Sequence, residues 1–345
     1  MVRDLLPFVS CAILQANRSV RRQQSRIMRL CHTPFDSTAM TTDTSDSGPA
    51  VTPAQMLQDL VSVLDLETLE VNLFRGPSRD LGGRSVFGGQ VIGQALVAAS
   101  RTVEGRTPHS LHAYFLLPGD MTAPIVYEVD RIRDGGSFTA RRVQAIQHGR
   151  PILSMIASFQ VPEDGLEHQS QMPDVPPPEA LASTTTLINN WLAQAGEVHP
   201  RIRASLTRHP AVDFRPVYPW NPIQPEVTLP RQCIWFRIGQ ALPDDPMLHR
   251  CLLAYASDFN LIGTALRPHG KSWYSPDMQV ASLDHALWFH RDGRVDDWLL
   301  YCMDSPSAQA ARGMTRGQIY DRSGRLIASV AQEGLMRRSL PKAKN

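Results

Sequence analysis

Two segments that lie about half a chain apart carry similar sequences, and this internal repeat restricts the fold more than any other feature. SLHAYF at 110–115 resembles LDHALWF at 283–289, and IASF at 156–159 resembles IASV at 327–330. In each half of the chain, the apolar patterns predict a strand, a long helix and four further strands. A helix of this kind buries its apolar face against a sheet. The sequence therefore predicts an α+β fold of two tandem units, each with a long helix wrapped by an antiparallel sheet.

The composition is typical of a soluble globular protein with more than one domain. Hydrophobic residues make up 42% of the 345 residues and charged residues 20%. No run approaches the roughly 18 apolar residues of a membrane-spanning helix, so we predict no span. The five cysteines are odd in number and scattered, without a Cys-x-x-Cys pair or a Cys/His cluster. This pattern favours a reducing compartment and argues against a zinc site. We expect no cofactor.

Residues 1–50 differ in composition from the rest of the chain. Six arginines precede Met40, with only Asp4 and Asp36 as acidic residues. Because the net charge of the whole chain is only +2, the basic excess belongs to this extension, and no nucleic-acid partner is expected. An Arg-rich, acid-poor start is also typical of transit peptides. We interpret the segment as a disordered or targeting extension, or as a misread start, and favour a cytoplasmic location over an organelle matrix.

Prolines mark the boundary between the two predicted units. MPDVPPPE occupies residues 172–179, and a helix is predicted over 179–194. Proline-dense stretches of this kind are typical of linkers. The predicted divisions are the extension at 1–50, an N-terminal unit at 51–163, a Pro-rich linker with a helix at 164–211, a C-terminal unit at 212–338 and a tail at 339–345.

One carboxylate lies on the apolar side of a helix predicted over 246–266. Apolar residues recur there at spacings of three and four, which indicates a buried stripe. Asp258 falls on this stripe, and its helical neighbours carry no charge and no strong donor. Such a carboxylate must find donors on other elements or have a raised pKa. Asp258 is therefore either a structural residue near a helix end or a base in a functional site.

Two polar residues occupy predicted buried strand faces in the second unit. Gln332 interrupts the apolar face of LIASVAQEGLM, and a buried glutamine needs hydrogen-bond partners. Ser282 is predicted to share a face with Ala286 and Trp288 in MQVASLDHALWFH. Taken alone, each polar residue is compatible with a structural role.

A Ser/His/Asp hydrolase triad is not expected, although Asp284, His285 and His290 follow Ser282 closely. Such a triad needs an exposed nucleophile, and the chain contains no Gly-x-Ser-x-Gly motif. A different feature, FGGQVIGQAL at 87–96, places two glycines at the start of a predicted helix. Backbone N–H groups at a helix N-terminus can approach an anionic ligand, although tight packing explains the glycines equally well.

Six motifs occur in a fixed order over roughly residues 57–338: LFRGPS, FGGQVIGQAL, SLHAYFLLPGD, LLAYASDFNL, LDHALWFHR and QEGLMR. Together they resemble the acyl-CoA thioesterase II family. The resemblance implies a double hot-dog fold and hydrolysis of acyl-CoA to fatty acid and CoA in lipid metabolism. It also implies a homo-oligomer, either a dimer or a tetramer. The family's catalytic trio of Asp, Thr or Ser, and Gln falls by motif on Asp258, Ser282 and Gln332.

The implied chemistry suits these residues. Thioester hydrolysis needs an oriented, partly deprotonated water and a site for the oxyanion. We expect Asp258 to act as the base, with the other two members of the trio holding the water. The backbone N–H groups of Gly88, Gly89 and Gln90 are the candidates for substrate binding and the oxyanion site.

Two alternatives to a thioesterase stay open at the level of sequence. A hot-dog enoyl-CoA hydratase or dehydratase is expected to carry an Asp/His pair, which the sequence does not clearly supply. A non-catalytic acyl-CoA binding protein would bind the same ligand and leave the trio unused. Thiol release distinguishes a hydrolase from both.

Overall fold

A computed structural model describes residues 53–81, 83–207, 211–239 and 241–339. The predicted extension at 1–50 and residues 340–345 of the predicted tail lie outside the described residues. Within the described ranges, no helix has the length and apolar character needed to cross a membrane.

The N-terminal half places one long helix, α2, among six strands. The helix has no acidic or basic residue in its end turns, and seven of its thirteen residues are Ala, Val, Ile or Leu, so burial rather than charge stabilises it. In chain order the elements are α1 (Pro53–Leu64), β1 (Glu67–Glu70), β2 (Leu73–Gly76), α2 (Gly88–Ser100), β3 (Thr107–Phe115), β4 (Ile125–Asp134), β5 (Phe138–Gln147) and β6 (Arg150–Gln160).

The C-terminal half repeats this plan, and two short helices connect the halves. The connecting helices are α3 (Thr184–Gln194) and α4 (Pro200–Thr207). The C-terminal elements are β7 (Val212–Pro216), β8 (Arg231–Ile238), α5 (Pro246–Ser257), α6 (Gly263–Leu266), β9 (Met278–Ser282), β10 (Asp284–Phe289), β11 (Leu299–Gln309), β12 (Arg312–Asp321) and β13 (Leu326–Arg338).

All thirteen of these strands belong to one antiparallel sheet. The two halves join through β3 and β10, where Leu111 lies opposite Leu287 and Ala113 opposite His285. The predicted α+β architecture of two helix-and-sheet units is confirmed, and the two sheets are continuous. The strand order is β1-β2-β4-β5-β6-β3-β10-β13-β12-β11-β8-β7, and β9 pairs with β13.

The two long helices pack against each other in opposite directions at the centre of the fold. Gly89 approaches the Tyr255 carbonyl, and Gly93, one turn later, lies against the Cys251 carbonyl. Ten of the thirteen residues of α2 are buried because α5 covers the side that faces away from the sheet. The start of α2 therefore meets the end of α5.

Helix α5 is shorter than the sequence pattern predicts. The predicted helix over 246–266 ends at Ser257, Asp258 is its C-cap, and a separate turn of helix follows at Gly263–Leu266. Asn260 adopts a left-handed conformation with φ of 65°, which no α-helix can continue through. Asp258 is thus at a helix terminus, where its side chain can turn toward other elements.

A break between β9 and β10 changes the predicted strand face. The Leu283 N–H donates to the Glu333 carbonyl, and the Asp284 carboxylate accepts the Glu333 N–H at 2.6 Å. Beyond this irregularity the buried positions of β10 include His285. The prediction that Ser282 shares a face with Ala286 and Trp288 is wrong, because the break shifts the alternation by one residue.

The proline-rich linker crosses the outside of the C-terminal sheet. The Trp235 indole N–H donates to the Pro176 carbonyl at 2.9 Å, and Leu181 packs against the small apolar cluster that contains Trp235. The helix predicted over 179–194 starts at Thr184, because the Ser183 hydroxyl accepts the Thr186 N–H and caps it.

Two cysteines that appeared scattered in the sequence lie opposite each other on neighbouring strands. Cys233 on β8 pairs in register with Cys302 on β11, with a Cα–Cα distance of 4.1 Å, and the two form a disulfide. Their separation of 69 residues gave no sign of this pairing, which depends on strand register. The cysteine pattern therefore did not predict this pair, whereas Cys251 is free and buried.

Candidate active site

Asp258 joins the end of α5 to two distant parts of the chain. Its side chain is only 5% exposed. The Oδ2 atom accepts the Gly89 backbone N–H at 2.9 Å, and Oδ1 accepts the Gln332 Nε2–H at 2.7 Å. The N-terminal turn of α2 and the middle of β13 therefore supply the donors that α5 itself lacks.

The glycines at the start of α2 make this approach possible. A Cβ atom on Gly88 would lie 2.7 Å from Asp258 Oδ2 and 2.8 Å from the Phe115 ring. A Cβ atom on Gly89 would collide with the Tyr255 carbonyl of α5. Unpaired N–H groups at a helix N-terminus also favour a negative charge, so the carboxylate sits at the favourable end of α2.

Gln332 is fixed from two sides. Its backbone carbonyl accepts the Thr315 hydroxyl at 3.1 Å, and its Nε2 donates to Asp258. Its Oε1 atom is buried and has no hydrogen-bond partner among the described residues. The predicted burial of this glutamine on β13 is confirmed, and it presents an acceptor beside the carboxylate.

The Asp258 carboxylate is buried at a helix end where aromatic rings pack on one another. The Phe87 ring packs on Phe259 at a centroid distance of 4.4 Å and on Tyr255 at 5.4 Å. Burial in these surroundings raises the pKa of Asp258 to about 6, although the hydrogen bonds from Gln332 and Gly89 act in the opposite direction. Near neutral pH the group is a carboxylate that takes up a proton readily.

Ser282 lies on β9, beside the part of β13 that carries Gln332. It is directly opposite Gly334, two residues beyond Gln332 on β13, so its side chain faces the same side of the sheet as that of Gln332. No hydrogen bond to its hydroxyl is found within the described part of the chain. The structure therefore places Ser282 on the same sheet face as Gln332, but no hydrogen bond connects it to Asp258 among the described residues.

The three predicted N–H donors at the start of α2 differ in their partners. The Gly89 N–H donates to Asp258. The Gln90 backbone N–H donates to the Phe87 carbonyl at 3.1 Å. The side-chain amide of Gln90 donates to the Pro77 carbonyl at 2.9 Å. The Gly88 N–H has no partner among the described residues, so of the three it is the one available to a ligand.

His285 is a neighbour of Asp258 that the sequence analysis considered only for a Ser/His/Asp triad. Its Nδ1 lies 3.8 Å from Asp258 Oδ1, and its Nε2 lies 2.9 Å from the Ser257 hydroxyl oxygen. Burial lowers the pKa of His285 to about 3, so the ring is neutral and this contact is not an ion pair. The expectation that the chain supplies no Asp/His pair is wrong. The break at Leu283 turns His285 inward, and strict alternation could not reveal it.

Sequence comparisons show the family to which the chain belongs. Residues 213–335 match the family described as acyl-CoA thioesterase, and residues 77–160 match the acyl-CoA thioesterase N-terminal domain. The chain is 42% identical to acyl-CoA thioesterase 2 of Haemophilus influenzae, over 82% of this chain and 99% of that protein. It is 41% identical to human acyl-coenzyme A thioesterase 8, over 81% of this chain and 88% of that protein.

Structural comparisons identify the fold and the family. The crystal structure of an acyl-CoA thioesterase II, TesB2, from Mycobacterium marinum matches with a TM-score of 0.66 and 44% identity, over 81% of this chain and 98% of that one. A hot-dog protein from Alicyclobacillus acidocaldarius matches with a TM-score of 0.63 at 18% identity, over 82% of this chain and 99% of that one, and shares the fold. The chain therefore has the double hot-dog fold and belongs to the acyl-CoA thioesterase family of enzymes.

Proposed function

We propose that the protein hydrolyses acyl-CoA thioesters to the free acid and CoA, with Asp258 as the general base. The observation that carries the proposal is the buried Asp258 carboxylate, held between the Gly89 N–H and the Gln332 amide with a pKa raised to about 6. A base with a pKa near the working pH combines ionisation with proton affinity.

In the proposed reaction, a water oxygen forms a bond to the thioester carbonyl carbon while Asp258 takes one water proton. The carbonyl oxygen becomes an oxyanion, and the Gly88 N–H at the start of α2 is the proposed donor to it. Collapse of the tetrahedral intermediate breaks the carbon–sulfur bond and releases CoA thiolate. Protonated Asp258 then returns its proton to the sulfur, so the base is regenerated.

Gln332 and Ser282 are proposed to hold the attacking water. The buried Gln332 Oε1 has no partner among the described residues, so it can accept the second water proton while Asp258 accepts the first. The Ser282 hydroxyl faces the same side of the sheet and can donate to the water oxygen. One orientation of the water then satisfies all three side chains.

The Asp258–His285 pair is the observation that favours a hydratase as a second candidate. A hydratase would need the imidazole to exchange protons with its substrate. The His285 side chain is fully buried, its pKa is lowered to about 3, and its Nε2 is occupied by Ser257. This environment supports hydrolysis over hydration.

The discriminating experiment follows free thiol and substrate together. Purified protein is incubated with saturated and 2,3-unsaturated acyl-CoAs of short, medium and long chain. Stoichiometric release of thiol and acid supports the hydrolase. Loss of the enoyl absorbance without thiol release supports a hydratase, and tight binding without any turnover supports a binding protein. The profile across chain lengths identifies the preferred acyl group.

A homo-oligomer, either a dimer or a tetramer, is part of the same proposal. Strands β1 and β7 terminate the sheet order, and open strand edges favour assembly. Light scattering coupled to size exclusion measures the assembly mass directly, and a monomer mass at working concentration contradicts the prediction.

A further inference from the structure

His285 and Ser257 form a buried pair next to Asp258 that the proposed reaction does not use. The residues are 1% and 0% exposed, and His285 Nε2 lies 2.9 Å from Ser257 Oγ. The other ring nitrogen, Nδ1, points toward Asp258 Oδ1 at 3.8 Å and has no hydrogen-bond partner among the described residues. The ring is therefore held from one side only.

Counting protons assigns the tautomer of this ring. The Ser257 hydroxyl carries one proton and lies 2.9 Å from the Ala254 carbonyl, which can only accept. Because the hydroxyl proton is donated to the Ala254 carbonyl, Ser257 Oγ can only accept from the ring, and the donor to it is the His285 Nε2–H. A neutral imidazole has one N–H, so Nδ1 is unprotonated. The opposite tautomer would use the hydroxyl proton on His285 and lose the bond to Ala254.

We propose that Ser257 holds His285 in the tautomer with its proton on Nε2, so that an unprotonated Nδ1 faces Asp258 and no imidazole N–H donates to the base. This inference rests on the proposed role of Asp258. His285 acts through the carboxylate, and is a positioning residue, not a catalytic one. Tyr301 fixes the end of α5 that carries Ser257, because its hydroxyl donates to the Ser257 carbonyl at 2.9 Å.

The tautomer matters because an N–H donated to a carboxylate stabilises its charged form and makes it a weaker base. An unprotonated ring nitrogen gives no such stabilisation. Ser257 thereby preserves the proton affinity of Asp258 without adding a charge to the site.

Few other titratable groups act on this pair. Asp284, next to His285 in sequence, directs its carboxylate to the Glu333 N–H instead, and Tyr301 stays neutral because burial raises its pKa well above the usual range. The groups that face Asp258 and His285 from the surrounding elements are the Gly89 N–H from α2, Tyr301 from β11 and the neutral Gln332 from β13.

The first test is the acid limb of the kcat/KM profile in Ser257→Ala. Without the hydroxyl, the ring can place its proton on Nδ1 and donate to Asp258, so the acid limb is expected to move down by about one pH unit. Ser272→Ala is the matched control, because Ser272 is also a buried serine that donates to a backbone carbonyl, Pro222, at 2.7 Å. If the loss of a buried hydrogen bond were the only effect, the Tm of both variants would fall and the acid limb of the kcat/KM profile would stay in place in both. An unchanged limb in Ser257→Ala overturns the proposal.

The second test reads the tautomer in the wild-type protein and does not depend on the folding of a variant. Nitrogen-15 NMR of labelled histidine distinguishes a protonated from an unprotonated ring nitrogen, and the His285 signals are those missing in His285→Asn. A protonated Nε2 supports the proposal, whereas a protonated Nδ1 refutes it. Retained thiol release in Asp258→Asn would instead remove the proposed function and leave the NMR result standing.

Discussion

Asp258 Oδ2 accepts the backbone N–H of Gly89 at 2.9 Å, so the end of one central helix is bonded to the start of the other. This bond links the two halves of the chain at the candidate site. Because the two helices run in opposite directions, their packing decides where the carboxylate lies.

The two glycines of this junction are expected to respond differently to a methyl group. In Gly88→Ala the added Cβ meets Asp258 Oδ2 at 2.7 Å and the Phe115 ring, which are side-chain atoms that can move. Displacement of the carboxylate should reduce kcat by at least about tenfold, with a modest fall in Tm. In Gly89→Ala the methyl meets the Tyr255 backbone carbonyl, so the helices must separate and Tm should fall much further. Equal effects on activity and Tm in both variants would contradict this.

Asp258→Asn is expected to stabilise the protein at alkaline pH. The folded-state pKa, about 6, is raised above the ordinary value of 3.8, so the native state binds the proton more tightly and stability falls as pH rises through this window. At about pH 8 the asparagine variant should gain roughly 3 kcal/mol in free energy of unfolding. The gain should shrink toward zero near pH 4. Urea titrations at both pH values measure it, with Asp244→Asn, a fully exposed aspartate, as the control.

Gln332→Ala is expected to move the acid limb of activity upward. The Gln332 amide donates to Asp258 and lowers its pKa, so without it the carboxylate is protonated at higher pH. The variant should also lose about ten- to a hundredfold in kcat, because the water loses one of its proposed acceptors. A kcat/KM profile measures both effects, and an acid limb that moves downward would contradict the assigned hydrogen bond.

Ser282 offers a conservative pair of variants. Ser282→Thr keeps the hydroxyl and should retain activity within about threefold, whereas Ser282→Ala should lose about tenfold or more if the hydroxyl holds the water. Since no hydrogen bond to the Ser282 hydroxyl is found among the described residues, both variants should fold. Full activity in the alanine variant would remove Ser282 from the trio.

The turn between β11 and β12 provides a stability prediction remote from the site. Ala310 and Ala311 have φ angles of 50° and 59°, a left-handed conformation that costs a residue with a Cβ about 1 to 2 kcal/mol. A two-residue hairpin of this type favours Asn-Gly. Ala310→Asn with Ala311→Gly should raise the free energy of unfolding by about 1 kcal/mol and leave thiol release unchanged. Calorimetry measures the change, and a lower Tm would contradict it.

Local patterns predicted the individual site residues better than their connections. The helical period placed Asp258 on a buried stripe, and strand alternation placed Gln332 on a buried face; both are buried in the structure. The bond from Gly89 to Asp258 spans 169 residues of sequence. No local pattern reports such a contact, because it depends on how the two helices pack.

Breaks in regular structure account for the errors. Asn260 ends α5 at a position where the apolar period continues. The interruption at Leu283 reverses the strand alternation, so His285 is buried and Trp288 is not. The Cys233–Cys302 pair depends on the register of β8 and β11. Each of these is set by tertiary contacts that override the local period.

The most direct measurement is thiol release from an acyl-CoA substrate by the wild type and by Asp258→Asn between about pH 5 and pH 9. The account predicts a wild-type acid limb near the raised pKa of Asp258, about 6, and a loss of at least about a hundredfold in the asparagine variant at neutral pH. Near-wild-type turnover by a folded Asp258→Asn protein would contradict the assignment of Asp258 as the base.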